Sequence, residues 1–293
     1  MGRLNLDQGL GYNLAFIMLQ IHLLQTGLVR IKSAQRRRRL GGLARVILDR
    51  TWTEWLPIYA WAIEHPEGAI VVDTGETART SEPDYFPQWH PYYRFAVRMD
   101  VTPEQEIGPQ LRRIGLEPEE VRTLVLTHFH SDHTGGLHHF PNSKILVSGD
   151  DYRKAQGLTG RLQGYLPHRW PEWFSPTPIP FEPRAFGPFG HSYPLTEAGD
   201  VVVVPTPGHT PHHVSVIAKA ERMSYFLAGD TSYTETLLVE GVPDGVSPRA
   251  KTAVRTLGTI SRYTAEEPTV YLPTHDPGTP ERLRNQQTVN QVA

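Results

Sequence analysis

Four residues of metal-ligand type fall within the run Thr127-His128-Phe129-His130-Ser131-Asp132-His133. A turn here can aim His128 and His130 at one cation and Asp132 and His133 at a neighbouring one. Gly135 and Gly136 follow at once and let the backbone come close. Three further segments end an apolar run on a residue of the same kind. The run 201–204 leads through Pro205-Thr206-Pro207-Gly208 to His209, 225–228 leads through Gly229 to Asp230, and 269–272 leads through Pro273-Thr274 to His275. Rigid elements commonly hand functional residues to a loop in this way. The repeated arrangement is expected to gather His128, His130, Asp132, His133, His209, Asp230 and His275 at one edge of a pair of sheets. Imidazoles and carboxylates without thiolates suit zinc, and also iron, cobalt or manganese. The expected cofactors are therefore two divalent metal ions. The sequence contains no cysteine, so disulfides, thiolate nucleophiles and cysteine-bound zinc are excluded.

The elements that must position these residues can be read from periodicity. Short β-rich runs come first, at 19–24 and 29–32 within a segment, 19–31, that reads as a first core strand, then at 58–63 and 69–73, and His65-Pro66-Glu67-Gly68 reads as a hairpin turn between the last two. Residues 80–100 hold Pro and many aromatics and read as a loop or cap. A helix is expected from Thr102 or Pro103 to Gly115, with Glu104 and Glu106 in its first turn, and a short second one from Pro118. The apolar run 123–127 reads as a buried strand, and 144–148 as another, followed by a helix over 150–156. An irregular insertion is expected at about 160–195, rich in Pro, Trp and Phe. Strands resume at 201–204, 214–218, 225–228 and 269–272, with a helix over 249–262. This order predicts an α/β sandwich with the sheets inside. Residues 1–18 read as an N-terminal arm and 19–293 as one domain.

Taken together, the HFHSDH run, the Pro207-Gly208-His209 motif, Gly229-Asp230 and His275 resemble the metallo-β-lactamase superfamily. Within it they are most similar to the N-acyl homoserine lactonases, the quorum-quenching branch. Asp132 beside His133, a histidine in the Pro-Gly-His motif, Asp230, Tyr233 three residues later and the opening Leu23-Leu24-Gln25-Thr26-Gly27 all point there. The resemblance implies a four-layer αβ/βα sandwich. It makes Asp230 the ligand shared by both metals, and it sets Tyr233 facing the lactone carbonyl. The implied chemistry is opening of the lactone ring by a hydroxide bridging the two metals, its pKa lowered toward ~7. Tyr233 would donate to the developing oxyanion, and Asp132 would pass a proton to the leaving alkoxide. Hydrolysis of phosphoesters or phosphotriesters, or of thioesters in the manner of glyoxalase II, is the alternative on the same centre. A non-catalytic metal-binding or redox partner module is the rival from another class, and the intact HFHSDH argues against it.

The remaining features are weighed on their own. Asp73 ends a strand and reads either as support for the metal histidines or as a turn residue. His138, His139, His212 and His213 read as surface or supporting residues rather than ligands. His22, His65, His90, His168 and His191 receive no role. The four arginines at 36–39 read as a solvated loop, with a phosphate-binding patch as the other reading. A net charge of −2 over 293 residues gives no pull toward nucleic acid or anionic membrane. The expected partner is a small-molecule lactone, with no nucleic acid and no membrane, and a homodimer is compatible. The stretch from Gln8 to Val29 carries no formal charge, yet polar residues interrupt it and no small-residue cleavage site follows. A cytoplasmic location is expected on that ground.

Overall fold

The computed structural model describes residues 19–289, so the expected arm at 1–18 lies outside the described residues. Among the described residues, twelve strands form two sheets. They are β1 (Gln20–Ile31), β2 (Leu56–Glu64), β3 (Ile70–Val72), β4 (Val97–Asp100), β5 (Thr123–Val125) and β6 (Lys144–Val147), then β7 (Thr177–Pro178), β8 (Tyr193–Pro194), β9 (Val201–Pro205), β10 (Val214–Lys219), β11 (Ser224–Gly229) and β12 (Thr269–Pro273). The first sheet runs β4-β1-β2-β3-β5-β6-β7 and the second β12-β11-β10-β9-β8.

Strand alternation explains the layering. In β9, Val201 and Val203 face the first sheet, whereas Val202 and Val204 face the helix Ala250–Glu266 through Leu257, Ile260 and Tyr263. In β2, Tyr59, Trp61 and Ile63 fill the space between sheets, while Ala60 and Ala62 meet the outer helix Ile107–Arg113 through Ile107 and Leu111. Each sheet is thus apolar on both faces, so it needs a helix layer outside and a sheet inside. The result is the expected four-layer αβ/βα sandwich.

Several local expectations change. The first core strand expected over 19–31 is β1, but its register with β2 shifts between Gln25 and Leu28. Gly27 makes the shift possible: its φ is +135°, and a Cβ there would lie 2.6 Å from Val101. The segment 80–100 is more than a loop, because it carries the short helix Pro91–Phe95 and the edge strand β4, in which Val97 pairs with Ile31 and Met99 with Val29. A four-residue strand is too short to show a period.

The helix expected from 102 to 115 is broken into the turn Pro103–Gln105 and the helix Ile107–Arg113. Pro109 is the cause, since its ring would clash with the Gln105 carbonyl four residues earlier in a continuous helix. The short helix expected at Pro118 is a single tight turn, Pro118–Glu120. The irregular stretch near 160–195 contributes one two-residue strand to the edge of each sheet, β7 and β8. Its Trp170 and Phe174 pack against Phe129, with ring centroids 5.1 and 6.5 Å away.

Three of the four arginines at 36–39 are held rather than merely solvated, while Arg39 is exposed. The first ends the short helix Ser33–Arg36 and pairs with Glu54, Arg37 pairs with Glu240, and Arg38 donates to the Ser247 carbonyl at 2.7 Å. No described helix is long and apolar enough to cross a membrane.

Candidate metal centre

Every ligand-type residue singled out from the sequence arrives at one end of the sheet pair because a strand stops just before it. β5 delivers the segment that holds His128, His130, Asp132 and His133; β9, β11 and β12 deliver His209, Asp230 and His275. The ligand atoms fall into two groups, each within 4.8 Å: His128, His130, His209 and Asp230, and Asp132, His133 and His275. Asp230 connects them. Its Oδ2 lies 3.3 Å from His209 Nε2, and its Oδ1 lies 3.3 Å from His133 Nε2 and 3.4 Å from His275 Nε2. Asp132 Oδ2 is 3.4 Å from His275 Nε2.

The other nitrogen of each ring decides whether the set fits a metal. His209 Nδ1 meets the Asp244 carboxylate at 3.1 Å, His133 Nδ1 meets Asp73 at 2.8 Å, and His275 Nδ1 meets the Pro57 carbonyl at 2.8 Å. Each partner only accepts, so each Nδ1 carries the hydrogen. Thr127 gives its hydroxyl proton to Asp73 at 2.8 Å, so its oxygen accepts from His128 Nδ1 at 3.1 Å. With Nδ1 so engaged, all four rings turn Nε2 inward, where each can offer a lone pair once it carries no second proton. His128 Nε2 and His209 Nε2 both lie 2.9 Å from His130 Nδ1, so three ring nitrogens converge on one point that a proton or a cation can fill. His133 Nε2 and Asp230 Oδ1 are buried without a hydrogen-bond partner. Five imidazoles and two carboxylates directed this way fit two divalent cations, and the back-side partners fix ring orientation as such sites require.

Charge acts in the same direction. Burial disfavours ionisation of Asp230, but His275, His133 and His209 outweigh it and hold the carboxyl well below its ordinary range. Burial likewise opposes charge on His275, yet Asp230 and Asp132 push that imidazole up to about 10. Burial and the neighbouring His209 push His130 down to about 3. The ring between the carboxylates thus holds a proton that a cation must displace, whereas His130 is already neutral.

Asp73 is the support rather than a turn filler. Its backbone adopts φ 61°, a left-handed conformation that Asp tolerates better than most residues, and its carboxylate also accepts the Thr127 N–H at 2.8 Å. His213, fully buried, accepts the Asp230 backbone N–H at 3.1 Å and so anchors that loop. His212 stays at the surface near Asp150, and His138 and His139 face Glu106 away from the two groups.

A cavity of about 350 Å³ opens onto His130, Asp132, His209, Asp230 and His275. Its walls are largely apolar and include Val29, Ile31, Leu43, Met99 and Val246. The Tyr233 ring stacks on His275 with centroids 5.4 Å apart, and its hydroxyl accepts from Gln35 Nε2 at 2.8 Å. The same Gln35 amide donates to Tyr92 at 2.9 Å, so both phenolic protons are left to point elsewhere. Burial and Asp230 raise Tyr233 well above its ordinary value, which keeps it a donor at neutral pH.

Asp244, Gln35, Tyr92 and His90, the last three also lining the cavity, were not singled out from the sequence. Pro243-Asp244-Gly245 reads as a turn, and nothing near Gln35 signals the contact it makes 198 residues away. Asp244 is 1% exposed and accepts from Ser247 N at 2.6 Å and Val246 N at 2.8 Å. Asp244→Asn removes the charge behind His209; the expected result is metal affinity lower by about 10–100-fold, read by competition with a chelating dye. Unchanged affinity would mean that Asp244 only holds its own turn.

Residues 53–275 match the metallo-beta-lactamase superfamily. An N-acyl homoserine lactonase from Bacillus sp is 31% identical over 198 residues, covering 64% of this chain and 69% of that protein. Among solved structures, a variant of AiiA from B. thuringiensis with N-decanoyl-L-homoserine bound at the active site superimposes with a TM-score of 0.73, at 21% identity over 90% of this chain and 96% of that one. AidC, a dizinc quorum-quenching lactonase with bound product, gives 0.62 at 15% identity over 88% of each chain. At such identities these likenesses speak for the fold alone.

Proposed function

The chain belongs to the metallo-beta-lactamase superfamily, and on that premise we propose that it hydrolyses the lactone ring of N-acyl homoserine lactones at a dinuclear metal centre. The observation that carries the reading is Asp230, whose two oxygens face one imidazole group each, beside a largely apolar cavity. The lactonase relative at 31% identity supports the substrate class.

We assign the metal-holding role to His128, His130, His209 and Asp230 on one side, and to Asp132, His133, His275 and Asp230 on the other. Divalent cations held there, zinc being the first candidate, supply Lewis acidity and a water of lowered pKa. The chain's own residues do the rest. Tyr233 offers its phenolic proton to the carbonyl oxygen as negative charge develops on it. Asp132, with Oδ2 near His275, is placed to carry a proton to the leaving alkoxide. Apolar residues such as Val29, Met99 and Val246 line the space for an acyl chain and exclude water from it. A volume of about 350 Å³ lies within the range of small-molecule sites.

Arg38, which also lines the cavity, is the one feature that favours a phosphoester instead. Its Nη1 is already engaged by the Ser247 carbonyl, which weakens that reading. The test sets N-acyl homoserine lactones, a phosphotriester and a thioester side by side on metal-loaded protein, with the ring-opened product identified by mass. Faster turnover of the phosphotriester would displace the lactone reading. Tyr233→Phe is expected to lower kcat on the lactone by about 10²-fold with KM little changed, the effect of losing one oxyanion donor. An unchanged kcat would remove Tyr233 from the chemistry.

A further inference from the structure

A second convergence of ligand-type side chains shares no residue with the centre. Glu106, His138 and His139 place three ligand atoms within 4.8 Å of one another. Glu106 stands where the chain turns into the helix Ile107–Arg113, and the two histidines end the tight turn Leu137–His139. Glu106 Oε1 accepts from Thr77 Oγ1 at 2.9 Å and from the Ala78 N–H at 2.8 Å, which fixes the carboxylate. Its Oε2 is left facing His138 Nε2 at 3.2 Å and His139 Nε2 at 2.9 Å.

The tautomers make this arrangement informative. His138 Nδ1 lies 3.3 Å from the Gly135 carbonyl, which can only accept, so that nitrogen carries the hydrogen. A neutral His138 then turns the lone pair of Nε2 toward a carboxylate oxygen. That contact is favourable only with a positive charge between the two atoms, either a metal ion or a second proton on the ring. Burial works against charge on Glu106, but with the His138 and His139 rings against Oε2 and bonds from Ala78 and Thr77 at Oε1 it stays ionised far below its ordinary range. Room for the second ring comes from Gly108, because a Cβ at that helical position would lie 2.5 Å from His139 Nδ1.

We propose that Glu106, His138 and His139 form a third metal site, outside the hydrolytic centre, that takes a borderline divalent cation such as Zn²⁺. Two imidazoles, one carboxylate and water make up a common zinc donor set. The bound ion would tie the helix Ile107–Arg113 to the turn that follows the Asp132 and His133 segment. The rival occupant is a proton on His138, which leaves a salt bridge and no metal.

The test counts zinc by plasma mass spectrometry in untagged protein that has been saturated with Zn²⁺ and gel-filtered. His138→Gln and His139→Gln are run beside wild type, with circular dichroism to follow the fold. The side chain of His138 is 47% exposed, so its replacement leaves the packing intact even if the His139 variant does not. Each folded variant is expected to hold one zinc fewer than wild type, and Asp230→Asn to retain this ion. A difference of zero for folded His138→Gln overturns the proposal. The quantity read is a difference, so it depends neither on the occupancy of the centre nor on which substrate is hydrolysed there.

Discussion

Asp230→Asn is expected to lower kcat by at least about 10³-fold, some 4 kcal/mol of barrier, with bound metal falling below that of wild type. The argument rests on charge and position. Asp230 is 4% exposed and is the residue whose two oxygens reach both imidazole groups. An amide keeps the shape but offers one weaker acceptor oxygen and no charge, so two adjacent dications lose the anion between them. His213 still anchors the backbone at 230 through the N–H, so the loop is expected to stay in place. Kinetics together with metal analysis check this. Full activity with full metal content would show that Asp230 is not shared by the two groups.

Stripping the metals is the second large effect. Turnover is expected to fall to background in chelator and to return with Zn²⁺. Stability follows by linkage: at a thousandfold excess over Kd a bound ion contributes about 4 kcal/mol. For a domain of this size that corresponds to a Tm difference on the order of 10 °C. The pH dependence has a defined sign. In the metal-free chain His275 is raised from an ordinary value near 6.5 to about 10. Between those values the folded state holds a proton that the unfolded state has lost, so stability falls as pH rises through about 10. Metal binding must expel that same proton, so apparent affinity rises over the same interval. Calorimetry of stripped and loaded protein at several pH values checks both trends. A stripped protein that gains stability toward pH 10, or a loaded one no more stable than the stripped, would contradict them.

How far the site could be read from the sequence depended on where each contact lies along the chain. The metal-ligand candidates were legible because each follows an apolar strand directly, and strand ends share one edge of a sandwich. The apolar run at 201–204 likewise marked one strand of the second sheet. Contacts that link distant segments were not legible. Gln35 follows Ala34 and precedes four arginines, and only the folded chain brings it to Tyr92 and Tyr233. Asp244 has the neighbours of an ordinary turn, and its value to His209 arises from packing. Asp73 could be read either way until its left-handed backbone and its bonds to Thr127 and His133 were placed. The break in the helix before Ile107 was in principle readable from Pro109. The edge strand Val97–Asp100 was not, because four residues among aromatics carry no period.

The most direct measurement is hydrolysis of a short-chain and a long-chain N-acyl homoserine lactone, followed by proton release with a pH indicator as metal is titrated into stripped protein. Turnover that climbs with added Zn²⁺ and levels off near two equivalents at the centre, counted in the His138→Gln background, is the predicted result. Lactone turnover that is complete without metal, or absent when both groups are filled, would contradict it.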